Sequence, residues 1–315
     1  TKNRIYICPG SWPAWRMVAA TPHDWKHRPK LLIAWLPLAV LLCGAAGLRD
    51  VLEPWVFMWA LAFCIYSGLK WLSWWQARDG IPHTVARSAG YLLAWPGMDV
   101  ESFLRSGARV PPPATREWLA ALGKTILGGV LFWGVARRVP GVPLVQGWLG
   151  MGGLILLLHF GSFHLVALGW QRLGVDAQPI MSAPLRSSSL SEFWGQRWNL
   201  GFRQLSYDFI FRPLRGPLGA GFASFLVFVL SGLIHELVIS MPARGGYGLP
   251  TAYFVMQGLG VAVERSRAGR QCGLGKGVRG WLFMAACTAG PAFWLFHPPF
   301  VLRVIRPFME AVHAL

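Results

Sequence analysis

Seven long apolar stretches constrain this chain more than any other feature of its sequence. They lie at 31–48, 55–75, 118–136, 148–170, 218–241, 249–263 and 281–300. A helix that crosses a membrane needs about 20 mostly apolar residues. Only 14% of the residues are charged, where a soluble protein carries roughly 25%. The sequence therefore predicts an all-α, polytopic integral membrane protein, with about seven to eight transmembrane helices in a single membrane domain over 1–315.

The basic residues alternate between the two sides of these predicted spans. Of the 30 lysines and arginines, 22 fall in the segment 1–30 and the loops 76–117, 171–217 and 264–280, and six fall in the remaining loops and tail. The positive-inside rule predicts that the first group is cytoplasmic, including a basic N-terminal segment 1–30. We expect a multi-pass protein of a bacterial inner membrane rather than of the endoplasmic reticulum. Anionic membrane lipids are expected partners, and nucleic acid is not, because no soluble basic module is available to bind it.

Residues 186–217 form an amphipathic segment inside one of the basic loops. Ser189 followed by Glu192 is a capping-box pattern that predicts a helix beginning at about Leu190. On one continuous helix, Glu192 and Asn199 would share a face, because they are seven residues apart. The density of aromatic and arginine side chains suits a membrane interface. The segment is predicted to be catalytic and re-entrant, and the alternative is a simple interfacial anchor.

A histidine and a glutamate lie deep in the predicted span 218–241. His235 and Glu236 are costly in an apolar helix, so a functional role is the first expectation. Histidine also suits proton transfer near neutral pH. Glu236 points about 100° away from His235 on a helix, so it is expected to bond to a neighbouring helix. The alternative is a purely structural pair. No metal site is predicted, because position 239, where a zinc-protease motif has its second histidine, is Ile239.

Two further elements belong near this predicted site. His159 and His164 lie in the span 148–170 and point about 140° apart on a regular helix, so only one of them can line a common chamber. We select His164 as the substrate-binding candidate. The apolar run from Tyr91 to Trp95 is too short to cross a membrane. It is expected to be an interfacial or re-entrant element that ends at Pro96.

The run Ser-Glu-Phe-Trp-Gly-Gln-Arg-Trp-Asn, from Ser191 to Asn199, is followed by Ser-Gly-Leu-Ile-His-Glu around His235. Together these blocks resemble the membrane-bound O-acyltransferase (MBOAT) family, in its wax-synthase-like branch. The segments 91–99 and 158–164 are also similar to that branch, so the resemblance covers roughly residues 90–265. It implies helices arranged around an intramembrane reaction chamber, with His235 as the family's intramembrane histidine and Asn199 as its partner. Many relatives have more helices, so we expect the N-terminal part to be shortened or trimmed.

The resemblance implies an acyl-CoA-dependent O-acyltransferase that esterifies a lipophilic alcohol, with a long-chain fatty alcohol giving a wax ester as the first expectation. His235 would act as general base and Asn199 would polarise the acyl carbonyl, with acyl-CoA as co-substrate and no bound cofactor. The expected substrate-binding residues are Trp198, Arg197, Glu192, Arg203, Arg212, Arg215 and His164. Two alternatives stay open. One is an acetyl or short-acyl transferase for a sterol, terpenoid or glycan hydroxyl, and the other is a proton-coupled membrane transporter.

The two catalytic candidates, Asn199 and His235, are predicted to lie at different depths in the membrane. His235 lies about 26 Å along a helix that begins at Leu218, at about 1.5 Å per residue. Asn199 belongs to a loop predicted to be cytoplasmic. We therefore expect the segment 190–216 to dip into the membrane and a tunnel to lead down to His235, with the coenzyme A head at the cytoplasmic mouth.

Overall fold

The computed structural model describes residues 28–105, 110–139 and 141–315, and throughout these ranges the regular structure is helical, with no strand. The first half contains α1 Arg28–Ala46, α2 Pro54–Ala77, α3 Val85–Ala94, α4 Val100–Leu104, α5 Thr115–Arg138 and α6 Pro143–Arg172. The second half contains α7 at 190–197, α8 Leu200–Ala243, α9 Leu249–Arg265, α10 Arg267–Gln271, α11 Gly277–Ala289, α12 Ala292–Leu295 and α13 at 298–311. The prediction for 1–30 falls, as far as residue 27, outside the described residues.

Four of the described helical segments are long and apolar enough to cross a membrane. They are Pro54–Gly80, Thr115–Arg138, Pro143–Arg172 and Leu200–Ala243. Each contains one of the predicted spans, and α1 and α9 coincide with two more. The prediction of an all-α, polytopic membrane protein is confirmed.

A glycine divides the longest helical segment, α8, into two arms. Gly219 has φ 77° and ψ 154°, far from helical values, and Pro217 lies just before it. A residue without a Cβ adopts this conformation at little cost, so the chain turns here. The arm from 220 to 243 carries His235 and corresponds to the predicted span 218–241, while the arm from 200 to 218 belongs to the predicted amphipathic segment.

The predicted continuous span at 281–300 is wrong. Helix α11 ends at Ala289, the four-residue α12 follows Pro291, and a new helix, α13, begins at Pro298. His297 caps this new helix, since its Nδ1 accepts the Phe300 N–H at 3.2 Å. Prolines lack the N–H that a continuing helix needs, so this apolar stretch is broken although its hydropathy is uniform.

The loops between helices gather into two groups, as the alternation of basic residues requires. On one side Arg244 bonds to Asp50 at 2.7 Å, and Arg303 donates to the Arg244 carbonyl at 3.3 Å. On the other side Arg87 donates to the Gly174 carbonyl at 3.2 Å, and loop 171–217 contacts both α9 and α11. Loops predicted to share a side therefore do contact one another. Which group faces the cytoplasm stays a prediction.

Small residues allow the long helices to approach closely. On α8, a Cβ at Gly232 would lie 2.7 Å from the Thr251 Cα of α9. Between α5 and α6, a Cβ at Gly161 would lie 2.8 Å from the Thr125 Cα. Membrane helices associate through such contacts because lipid provides no hydrophobic driving force between them. Gly232 lies one turn before His235, so its contact also fixes how closely that histidine approaches α9.

Gly232→Ala is expected to destabilise the protein by about 1–3 kcal/mol, because the new methyl group would overlap the α9 backbone. Thermal unfolding of the purified protein in detergent measures the change. Gly152→Ala, on α6, is the matched control, since nothing lies within 4 Å of a Cβ placed there. Equal unfolding temperatures for the two variants would show that α8 and α9 do not depend on this contact.

Candidate functional site

The amphipathic segment begins as its sequence predicts. Ser189 precedes α7, and its hydroxyl accepts the Glu192 N–H at 2.9 Å. A carboxylate from another helix completes the cap: Glu264, only 4% exposed at the end of α9, accepts the N–H groups of Leu190 at 2.5 Å and Ser191 at 3.2 Å. Negative charge is stabilised at a helix N-terminus. The start of α7 is therefore fixed on α9.

The prediction that one helix carries both Glu192 and Asn199 is wrong. Helix α7 ends at Arg197, Trp198 is extended, and Asn199 has the left-handed φ of 42° before α8 begins at Leu200. Asparagine is one of the few residues that adopts this conformation readily. Glu192 and Asn199 consequently do not share a helix face, and the break turns the Asn199 side chain to the start of a new helix.

The Asn199 amide has one end occupied and one end able to donate. Its Oδ1 accepts the Phe202 N–H at 3.2 Å and so caps α8. The neighbouring backbone is held as well, because the Leu200 N–H donates to the Ile180 carbonyl at 2.9 Å. With the oxygen engaged in the cap, the Nδ2 group is the part of the side chain that can donate to another molecule.

The His235 ring is held in one orientation. Its Nδ1 lies 2.7 Å from the Ser231 carbonyl one turn earlier, and the ring centroid is 4.4 Å from that of Phe254 on α9. A carbonyl only accepts hydrogen bonds, so in the neutral ring Nδ1 carries the proton and Nε2 presents a lone pair. The arrangement is that of a base.

Glu236 bonds to a neighbouring helix, as expected from its position on α8. Its Oε1 accepts three hydrogen bonds, each 3.0 Å long, from the Gly248 N–H, the Thr251 N–H and the Thr251 hydroxyl. These donors form the N-terminus of α9. Glu236 therefore caps α9 instead of orienting the His235 ring.

One cavity of about 940 Å³ brings the two catalytic candidates together. Asn199 and His235 both line it, with Trp198 and Arg203 beside them. The remaining wall comes from α2, α3, α6, α7, α8 and α9 and from the segments after α3 and before α7. Much of it is aromatic, including Trp59, Phe63, Trp95, Phe163, Phe228 and Phe254. The volume lies at the upper end of the roughly 300–1,000 Å³ usual for ligand sites. A long apolar molecule with one polar reacting group suits such a space.

The other predicted substrate-binding residues lie elsewhere. Arg212 and Arg215 are exposed on the first arm of α8. Glu192 and Arg197 form an ion pair with each other at 2.6 Å, and neither residue belongs to the cavity wall described above. His164 is not part of that wall either, whereas His159, five residues earlier on α6, is.

Residues 177–256 match the model of the membrane bound O-acyl transferase family. This match includes both Asn199 and His235. The predicted resemblance is confirmed.

Several plant proteins are similar to part of the chain. The chain is 35% identical over 101 residues to "Probable long-chain-alcohol O-fatty-acyltransferase 9" of Arabidopsis thaliana, covering 29% of the chain and 30% of the relative. It is 30% identical over 145 residues to "Probable long-chain-alcohol O-fatty-acyltransferase 7" of the same plant, covering 41% and 42%. It is 33% identical over 102 residues to "Long-chain-alcohol O-fatty-acyltransferase" of Simmondsia chinensis, covering 29% of each. The aligned regions thus span less than half of the relatives' lengths.

Sequence motifs do not reveal three features of the candidate site and its surroundings. His159 replaces His164 in the cavity wall, and Arg265 at the end of α9 joins it. Gln257, fully buried in the middle of α9, accepts the Trp194 indole N–H at 3.2 Å and donates to the Cys287 carbonyl at 2.7 Å. For Gln257, a glutamine within an apolar helix is the feature of the sequence that could have indicated its role.

Hydrogen bonds hold Glu192 in its charged form. Its carboxylate accepts from the Ser188 N–H at 2.7 Å, the Ser188 hydroxyl at 2.9 Å and Arg197 Nε at 2.7 Å. Burial raises the pKa of Glu192, but these hydrogen bonds and the Arg197 charge outweigh it, so the pKa lies below its ordinary value. The ion pair thereby joins the two ends of α7.

Glu192→Gln is expected to lower stability at neutral pH by about 1 kcal/mol, because a half-buried, multiply bonded carboxylate is lost. A carboxyl whose pKa falls on folding contributes stability that is complete above its ordinary value of 4.5 and is lost as the pH drops through the lowered value. The difference from the unaltered protein should therefore vanish in acid. Thermal unfolding as a function of pH measures it.

Glu310→Gln is the matched control, since Glu310 forms a more exposed pair with Arg306 at 3.4 Å. This variant should change stability little at any pH. A destabilisation by Glu192→Gln that persisted unchanged in acid would contradict the role given to the charged carboxylate.

Proposed function

We propose that this chain is an acyl-CoA-dependent O-acyltransferase that esterifies a long-chain fatty alcohol to a wax ester. The observation that carries the proposal is the apolar cavity whose wall contains both Asn199 and His235. The plant relatives are named as long-chain-alcohol O-fatty-acyltransferases or probable ones, and these names support a long-chain alcohol as the acceptor.

The reaction follows from the two side chains. The alcohol oxygen attacks the thioester carbonyl carbon, and His235 Nε2 takes the hydroxyl proton, because an alcohol is a poor nucleophile at neutral pH. Negative charge develops on the carbonyl oxygen, where Asn199 Nδ2 donates a hydrogen bond. The carbon–sulfur bond then breaks, and the proton on His235 passes to the departing coenzyme A thiolate. The products are the ester and free coenzyme A, with no covalent acyl-enzyme.

The size of the cavity supports long substrates over short ones. An acetyl group would leave most of a space of about 940 Å³ unfilled, and contact with the apolar wall would supply little of its binding energy. Each additional methylene group that is buried against the apolar wall contributes about 0.8 kcal/mol to the binding free energy. A fatty acyl chain and a fatty alcohol use the aromatic surface around Trp59 and Trp95, which a small polar acceptor would not.

The positions of four arginines in or near the cavity favour an acyl donor that carries several negative charges. Arg203 and Arg265 belong to the cavity wall, and Arg212 and Arg215 are exposed on the same arm of α8 as Arg203. Guanidinium groups bind phosphate through paired, charge-assisted hydrogen bonds. In this proposal the coenzyme A phosphates bind near these arginines at the face to which the basic loops are assigned, while Arg197 remains with Glu192.

Asn199→Asp tests the proposed donor without removing the cap. Aspartate can still accept the Phe202 N–H and tolerates a left-handed φ, but its carboxylate has no proton to donate. The rate of acyl transfer should fall by ~10²–10³, with the unfolding temperature nearly unchanged. His235→Ala should lower the rate by ~10²–10⁴. Radiolabelled palmitoyl-CoA and hexadecanol with purified protein, followed by chromatography of the ester, give the measurement.

A panel of acyl-CoA lengths and alcohols in the same assay separates the candidate substrates. Ester formation should favour long chains in both positions. Full activity of purified His235→Ala would refute the mechanism, and the absence of transfer to every alcohol by the unaltered protein would refute the function.

A further inference from the structure

The cavity contains a second histidine to which the proposed reaction assigns no role. His159 lies on α6 within a π-helical turn, Leu156–Ser162, and it lines the same cavity as Asn199 and His235. Turns of this kind occur frequently at functional sites. The close approach of Gly161 to Thr125 of α5 holds the turn in place. His159 is therefore a fixed part of the wall.

The two nitrogens of the His159 ring have different surroundings. Nδ1 is enclosed and has no hydrogen-bond partner in the described part of the chain. An orphaned buried N–H is rarer in proteins than an unsatisfied acceptor, so the neutral ring keeps its proton on Nε2. The Phe163 ring stands edge-on at 5.4 Å on one side. Nε2–H is thus the group that His159 offers to a molecule in the cavity.

This is the opposite proton arrangement to that of His235. In His235 the Ser231 carbonyl holds the proton on Nδ1, so Nε2 accepts. In His159 nothing among the described residues engages Nδ1, so Nε2 donates. One chamber therefore presents one imidazole acceptor and one imidazole donor, with the Asn199 amide as a further donor.

A ring contact places the turn of α6 beside the break before α8. Phe160 meets Trp198 with ring centroids 6.2 Å apart. These residues immediately follow His159 and precede Asn199 in the chain. The two donors consequently approach the cavity from adjacent parts of its wall, α6 and the start of α8, and His235 approaches it from the second arm of α8.

We propose that His159 is a second hydrogen-bond donor to the carbonyl oxygen of the bound acyl group, acting together with Asn199. Its Nε2–H would bind the carbonyl in the thioester and bind it more strongly as the oxygen becomes negative during attack. The proton stays on His159 throughout, since the base is His235. This inference rests on the proposed acyl transfer.

Paired amide substitutions at position 159 test the donor at a defined atom. The amide of glutamine reaches about where histidine has Nε2, and that of asparagine reaches about where histidine has Nδ1. His159→Phe and His159→Asn should each lower kcat for palmitoyl transfer by ~10²–10³, whereas His159→Gln should stay within about tenfold of the unaltered protein. His164→Phe, on the same helix but outside the cavity wall, is the matched control and should retain activity.

A binding experiment separates this inference from the proposed function. The two probes are S-hexadecyl-CoA, a thioether without a carbonyl, and a ketone analogue of palmitoyl-CoA with a methylene between sulfur and carbonyl. His159→Phe should weaken binding of the ketone about five- to tenfold, as expected for one neutral hydrogen bond, and leave the thioether unchanged.

The outcomes are distinct. Failure of the unaltered protein to bind either probe would count against the proposed function itself. Binding of both probes, with His159→Phe affecting them equally or not at all, would overturn only the role of His159. The same role would fall if His159→Gln and His159→Asn lost activity equally.

Discussion

Two carboxylates at opposite ends of α9 set the position of both halves of the site. Glu236 comes from the His235 helix and caps the N-terminus of α9, while Glu264 comes from the C-terminal end of α9 and caps α7. Helix N-termini have unpaired N–H groups and a positive dipole end. Each carboxylate accepts such N–H groups and places negative charge at the positive end of a helix. Asn199 and His235 thereby take their places from one common helix.

Contacts in the middle of α9 strengthen this arrangement. Gln257 holds the Trp194 indole of α7, and Phe254 packs against the His235 ring. The close approach at Gly232 brings α8 near enough to α9 for the Glu236 cap to form. A general base must lie within hydrogen-bond reach of its proton, so a rigid frame between base and donor serves the proposed chemistry directly.

The apolar helices, the start of α7 and His235 can be predicted because each leaves a local signal in the sequence, whereas Asn199 is identified only through the resemblance to the O-acyltransferase family. Hydropathy marks the spans, the Ser189–Glu192 spacing marks a helix start, and an ionisable residue in an apolar helix marks His235. The predictions were wrong where tertiary contacts determine the local structure. The left-handed Asn199 breaks a helix that looked continuous, and the prolines after Ala289 interrupt a stretch of uniform hydropathy. The sequence predicts His164 at the cavity instead of His159, because a pattern of residues does not reveal which side of α6 faces the cavity. The π-helical turn also changes the angle between the two side chains from that of a regular helix.

In the proposed reaction the acyl carbonyl and the acceptor hydroxyl meet between Asn199 and His235 inside the apolar cavity. A cryo-electron microscopy structure of the purified protein with the ketone analogue of palmitoyl-CoA tests it most directly. We predict the carbonyl oxygen within about 2.7–3.2 Å of Asn199 Nδ2, the acyl chain along the aromatic wall, and His235 Nε2 facing the carbonyl carbon from the acceptor side. A carbonyl bound outside this cavity, or separated from His235 by a closed wall, would contradict the account.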